Sequence, residues 1–514
     1  MPRGTDDSPP PPGPGGSGRH RSHHAPDMDA PSHRWWVLSV VSLAQLMVVL
    51  DATIVNIALP SAQRALGFSD GNRQWIVTAY ALAFGSLLLF GGRLADLIGR
   101  KRAFLIGLIG FAVASAVGGG APSFEVLVAA RAVQGMFGAL LAPAALSLLT
   151  TTFTLPKERA KAFGIYGAIA GGGGAVGLLL GGLLTEYLDW RWCLYVNLLF
   201  AAIAFFGGLR LLSPESTVNR PNLDIPGTVL VSGGLFCIVY GFSDAQRHGW
   251  SAPSTWGFLV AGGVLLIVFV WWQRRAPNPL LPLRVLADRD RGASYLALFI
   301  SGAGIFGVFL FLTFYLQRTL SYSPVTTGLA FLPMVAVIMA GSVVTTNSLV
   351  PRVGAKPIVP TGMLLSAGAM AWLTTLDRTS TYAAHVLPPT LVLGLGLGMI
   401  FATGLNLATA GVTERDAGVA SAMVNTSQQV GGSIGTSLLN TLATSAATHF
   451  VVGKRPSPTL ADRAQLHSFM VAYWWSAGFF AVGFVVTLLL YRRGVPRSLL
   501  GDPNANAPTA PAPP

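Results

Sequence analysis

The chain has 514 residues, 52% of them hydrophobic and 11% charged, with a formal charge of +13. Soluble domains carry about 25% charged residues, so the composition excludes an ordinary soluble enzyme or binding module and points to a membrane protein. Nucleic-acid recognition needs basic residues clustered on a soluble face, and here the basic excess is spread along the chain, so no nucleic-acid partner is expected.

Residues 1–34 are rich in Pro, Gly, His and charge and read as a disordered tail, as does 492–514. His20, His23 and His24 could hold a metal, but a solvated tail explains them equally and no metal site is expected. The first apolar run is too long for a cleavable signal and lacks a small-residue cleavage site. Apolar runs of about 20 residues, long enough to cross a core of roughly 30 Å as helices, recur fourteen times. They fall near 35–59, 75–94, 103–121, 124–149, 161–186, 192–212, 224–244, 254–273, 293–316, 326–349, 357–375, 384–406, 417–447 and 469–491.

Span 1 carries Asp51, an acid at membrane depth. Such a charge costs roughly 2.5 kcal/mol or more and marks a functional site by default. At 1.5 Å per residue, Asp51 lies roughly 24 Å from the start of span 1 and Arg131 roughly 10 Å into span 4 from the opposite face, so both fall at comparable depth. Burial disfavours a charged carboxylate and a nearby guanidinium favours it. An acid and base sharing one polar environment can therefore bind a proton in one conformation and release it in another. A structural ion pair is the alternative.

After span 2 the loop Gly92-Arg93-Leu94-Ala95-Asp96-Leu97-Ile98-Gly99-Arg100-Lys101 places an acid near a helix end and cations after it. Gly92, Asp96, Gly99, Arg100 and Lys101 could form a gating loop, Asp96 capping a helix N-terminus; the cations could instead serve only as topology signals. Span 5 repeats glycine every fourth residue at Gly173, Gly177 and Gly181, which lets a neighbouring helix approach closely. No phosphate-loop sequence occurs, so no nucleotide or other cofactor is expected and an ion gradient would supply the energy. Cys193 and Cys237, in separate spans, read as free thiols. Span 13 has the polar run Asn425 to Gln429, whose members cannot all share one face. Asn425 and Gln429, with Tyr80, Tyr315 and Gln317, are candidates to line a substrate cavity, with packing as the alternative.

The chain repeats itself. Leu94, Gly99 and Lys101 match Leu349, Gly354 and Lys356 at an offset of 255, and Glu158-Arg159 matches Glu414-Arg415 at 256. Arg352 falls in the second copy of the loop. Inverted or parallel repeats are a mark of secondary transporters. The reading is an all-α multi-pass membrane protein: a six-helix bundle at 35–212, a linker with two inserted helices at 213–292, and a second six-helix bundle at 293–491. With a cytoplasmic N-terminus the inside segments hold 24 Lys and Arg and the outside loops 9, Arg131 completing the 34. The positive-inside rule then places both termini in the cytoplasm.

Between the tails the chain resembles the major facilitator superfamily, and within it the fourteen-span drug:proton antiporters. The resemblance is carried by Leu50-Asp51-Ala52-Thr53-Ile54-Val55-Asn56-Ile57-Ala58-Leu59-Pro60, by the Gly92–Lys101 loop, by Arg131-Ala132-Val133-Gln134-Gly135, by Trp190-Arg191-Trp192 and by Tyr315-Leu316-Gln317. Two positions depart: Leu97 stands where a basic residue is usual, with Arg352 supplying one in the second copy, and Leu178 follows Gly177 where proline is usual. The resemblance implies a monomeric, proton-driven exporter of small organic molecules in a bacterial cytoplasmic membrane, with Asp51 and Arg131 coupling protons and Asp96 bracing the halves near Ala417 and Gly418. Import by symport, a membrane sensor or scaffold, and a membrane enzyme are the rivals; the last lacks any metal-ligand spacing. From residue 293 to 406 the only acid is Asp377, in a loop. The expected substrates are therefore neutral, zwitterionic or monovalent, and Asp224 is the acid that could change that.

Overall fold

The computed structural model describes residues 31–492 and 494, apart from 70, 154, 214–223, 411, 413, 455 and 456. The regular structure among the described residues is all helical, with no strand. Fourteen long helices follow in order: α1 (Pro31–Leu66), α2 (Gln74–Ile98), α3 (Arg100–Gly119), α4 (Phe124–Thr152), α5 (Pro156–Tyr187), α6 (Trp192–Leu211), α7 (Ile225–His248), α8 (Pro253–Gln273), α9 (Arg289–Phe314), α10 (Pro324–Val344), α11 (Ala355–Leu373), α12 (Leu387–Thr409), α13 (Glu414–Val451) and α14 (Pro458–Leu490). Among the described residues eleven are long and apolar enough to cross a membrane, the other three being α5, α11 and α13. In lipid every backbone polar group must be satisfied within the chain, which is why apolar runs of this length become helices.

Helices α1–α6 pack on one another, as do α9–α14. The two groups meet along α2 with α13 and α5 with α10. Helix α1 runs on past the expected end at residue 59, through Pro60 to Leu66. The α2–α3 and α11 junctions show the repeat in the backbone: Gly99 has φ +92° and Gly354 φ +74°, a conformation that glycine adopts without the Cβ penalty. Helix α5 has no internal proline, and its glycines lie against α1. A Cβ on Gly177 would stand 2.0 Å from Thr53 Oγ1 and 3.0 Å from the Leu50 carbonyl, and one on Gly181 2.9 Å from the Ile54 carbonyl. The second half repeats this at an offset of 254: Cβ atoms on Gly431 and Gly435 would reach Phe299 O at 2.0 Å and Ala303 Cα at 2.4 Å. Each half thus brings its first and fifth helices to backbone contact.

The insert α7–α8 lies on the seam. Gln74 and Trp75 of α2 both donate to Ser243 Oγ (3.2 and 3.0 Å), while Ser437 and Thr441 of α13 donate to the Val239 and Phe242 carbonyls (3.1 and 2.8 Å). Leu82, Leu235, Val239 and Val430 form one apolar cluster across these three helices. Asp224, the expected spare acid, is buried. It caps α7 and accepts from Gly227 N, Trp272 Nε1 and Gln273 Nε2 at 2.9, 2.8 and 2.6 Å. Leu280 N donates to the same carboxylate at 3.3 Å, so its oxygens are satisfied where they stand.

Candidate functional site: a buried charge network

Four helices of the first half bring five polar side chains to a buried centre, α4 supplying two of them. Asp51 on α1 is fully buried and Arg131 on α4 is 1% exposed. Arg131 Nη1 donates to Asp51 Oδ2 at 2.6 Å. The other carboxylate oxygen, Oδ1, accepts from Asn197 Nδ2 of α6 at 2.7 Å and from Gln134 Nε2 at 2.8 Å. Ser115 of α3 accepts from both amides, at 2.9 and 3.1 Å, and donates to the Leu194 carbonyl at 2.8 Å. Gln134 sits one turn beyond Arg131, on the same helical face, and its Oε1 accepts from the same Nη1 at 2.6 Å.

Arg131 has further partners. Its Nε donates to the Ile76 carbonyl at 3.2 Å, and its guanidinium lies 4.3 Å over the Tyr80 ring, a favourable place for a desolvated cation. A Cβ on Gly135 would stand 2.4 Å from the Tyr80 carbonyl, so glycine there lets α4 come close enough to α2 for this stacking. A buried ion pair is affordable only when its remaining donors and acceptors are satisfied, and this one has both amides and a carbonyl around it. Among the described residues Asn197 Oδ1 and the Tyr80 hydroxyl, both buried, have no hydrogen-bond partner.

The sequence places Asp51 and Arg131 at comparable depth and Gln134 in the same motif as Arg131; it assigns no role to Asn197 or Ser115. The available signal for Asn197 was an amide inside the apolar run Trp192–Leu211. The remaining candidates fall elsewhere. Tyr80 is buried beneath Arg131, and Tyr315 is buried with its hydroxyl donating to the Asp377 carbonyl (2.7 Å). Gln317 crosses the seam, donating to the Ile57 carbonyl at 3.2 Å. Asn425 and Gln429 are half-buried on α13, and Gln429 lies beside Gly85 of α2. In the loop, Lys101 donates to the Leu209 carbonyl at 3.0 Å and to that of Leu212, so it caps the end of α6. Gly92 faces Pro143, Arg352 is exposed, and the side chains of Asp96, Ala417 and Gly418 lie outside the described residues.

Hydrogen bonds cross the seam at the end that carries the α1–α2 loop. Arg73 Nε donates to Asn440 Oδ1 at 3.2 Å, with its guanidinium 4.3 Å over Phe314. Arg318 donates to Gln63 Oε1 at 3.1 Å and stands 5.0 Å over the same ring. Glu186 accepts from Val325 N at 2.9 Å. Two arginines from opposite halves thus share one phenylalanine. Sequence reading missed this latch because Arg73 and Arg318 look like ordinary loop cations.

Residues 41–436 match the model of the Major Facilitator Superfamily. The chain is 48% identical over 483 residues to a puromycin resistance protein of Streptomyces alboniger, covering 94% of this chain and 95% of that one. It is 37% identical to a cephamycin export protein of Amycolatopsis lactamdurans, covering 80% and 85%. Its fold is similar to the crystal structure of a bacterial homologue of the human lysosomal transporter Spinster, with TM-score 0.61 at 18% identity over 89% of this chain and 97% of that one.

Proposed function

The chain belongs to the major facilitator superfamily, and on that premise we propose that it exports small amphipathic organic compounds from a bacterium in exchange for protons. The observation that carries this is the fully buried Asp51 carboxylate, facing one guanidinium and two neutral amides. Resistance and export by the relatives supports the outward direction. A proton arriving on Asp51 removes the counter-charge of Arg131, which keeps Gln134 Oε1, the Ile76 carbonyl and the Tyr80 face as partners. The network then has two satisfied arrangements, one with the proton and one without, and alternating access can be coupled to the change between them.

In this reading both termini are cytoplasmic, the α1–α2 loop end is outer, and the latch through Arg73, Phe314 and Arg318 holds the outer side shut. One chain suffices, because the path lies between its own two halves. Asp96 would brace the cytoplasmic side in the alternate state. The test uses inside-out vesicles with an acidified lumen and puromycin as probe. Accumulation that Asp51→Asn abolishes is expected. Accumulation at the unmodified rate in Asp51→Asn would overturn the coupling role, and acid-driven loss of puromycin from the lumen would indicate import.

A further inference from the structure

A cavity of about 320 Å³ opens between α2, α4 and α7 at the α1–α2 loop end. That is the lower end of the range for small-molecule sites, roughly 300–1,000 Å³. Its walls are the rings of Trp75, Phe124 and Tyr240, with Glu125 and Asp244 as charged groups. Trp75 and Tyr240 have ring centroids 6.1 Å apart at 51°, and Trp75 is fixed through its Nε1 hydrogen bond to Ser243. Asp244 is 5% exposed and held by Ser254, Thr255 and His248 at 2.6, 3.0 and 2.9 Å; Glu125 is exposed on the first turn of α4.

This cavity is separate from the charge network. It uses the face of α4 that carries Val128, Ala129 and Ala132, while Arg131 and Gln134 point from another face into the bundle. No lining residue is Lys or Arg, so its electrostatics favour a cation. The aromatic and aliphatic walls do not suit a bare metal ion, and no metal-holding group of His, Cys, Asp and Glu occurs among the described residues. Aromatic faces with carboxylates are instead the environment that recognises organic ammonium groups.

We propose that this cavity binds an organic monocation, an ammonium group with an apolar body, at a site independent of Asp51. The ammonium would sit between Glu125 and Asp244 and its apolar part against Trp75, Phe124 and Tyr240. Such a group can come from a membrane-dissolved cationic compound or from an aminophospholipid headgroup. Because the cavity joins the insert to the first half, its occupant also ties α7 to α2 and α4.

Benzyltrimethylammonium is the probe, titrated by calorimetry into the full chain in dodecyl maltoside micelles. Glu125→Gln and Tyr240→Leu should each weaken binding about fivefold, with unchanged melting temperatures reporting intact folding. Asp244 is avoided as a first variant because it fastens the α7–α8 turn. Asp51→Asn should leave the affinity unchanged. Adding short-chain phosphatidylethanolamine distinguishes the sources: competition assigns the site to a lipid ammonium, and no competition assigns it to a free organic cation. Unchanged affinity in both Glu125→Gln and Tyr240→Leu, or loss of binding in Asp51→Asn alone, would overturn the proposal.

Discussion

The two halves share a scaffold but fill it differently. The centre of the first half holds Asp51, Arg131, Gln134, Asn197 and Ser115 in one network. The second half packs Phe311, Phe314, Tyr315, Phe331, Phe469 and Tyr473 into an apolar core. Its helices also break into π-helical turns at Tyr315–Thr319, Thr345–Leu349 and Tyr382–Val386, while the described helices of the first half are continuous. Such turns insert one residue per turn and often mark functional sites. Both halves keep the positive-φ glycine after their second helix and the glycine stripe on their fifth. The difference teaches that the repeat conserves how helices approach, whereas the buried carboxylate–guanidinium network lies in the first half.

The largest expected effect tests where the charge resides. Asp51→Asn keeps the shape and an acceptor for Arg131 but removes the counter-charge. Breaking a buried pair costs ~3–5 kcal/mol, so a lower melting temperature should accompany complete loss of proton-driven puromycin accumulation. Between residues 293 and 406 the second half offers no acid in a span to take over, since its acid there is the loop residue Asp377.

Next come the paired glycines. Gly177→Ala would drive a Cβ into Thr53 and the Leu50 backbone, one residue from Asp51; Gly431→Ala would drive one into Phe299. Overpacking of this kind costs ~1–3 kcal/mol, so both variants should melt earlier by similar amounts. Only Gly177→Ala should also weaken the dependence of transport on the proton gradient, since it displaces the carboxylate. Equal loss of proton dependence in both would erase the proposed division between halves.

How far the sequence reached follows the same division. Helices and the repeat were legible because hydrophobic runs and glycine positions are local signals, and an acid in an apolar span announces itself. The pair Asp51–Arg131 could be placed at one depth by counting residues. Asn197 and Ser115 were not legible as its partners, since which side of α3 and α6 faces α1 depends on tertiary packing. The partners of Tyr80 and Tyr315, the Arg131 guanidinium and the Asp377 carbonyl, were not legible either, because they too are set by packing. The Arg73–Phe314–Arg318 latch joins residues more than 240 positions apart and leaves no periodic trace.

That latch gives a smaller effect. Arg73→Gln removes a cation over Phe314 and loosens the bond to Asn440. Loss of about 1 kcal/mol should raise the population open at this end about fivefold. A thiol reagent applied from outside to a cysteine placed at Ile57, beneath the latch, should then react faster by that factor. An unchanged rate would show that the α5–α10 contact at Gly182 and Gly328 suffices to close the seam.

The smallest effect concerns pH, and it separates the halves most cleanly. Asp377 is held below the usual carboxylate value of 3.8 by hydrogen bonds from the Thr379 side chain, the Thr379 backbone and Ser380. A carboxylate with a lowered folded-state pKa contributes stability that is fully present above its unfolded value and lost as pH falls through the folded one. The loop 377–381 should therefore keep its amide protection, relative to free-peptide exchange rates, at every pH above about 5, and lose it only below about 4. Asp377→Asn should leave transport unchanged across the range in which a proton gradient operates. A proton dependence of transport that survives Asp377→Asn does not come from this loop carboxylate. If Asp377→Asn altered that dependence, the second half would contribute a titrating group and the single-acid account built on Asp51 would fail.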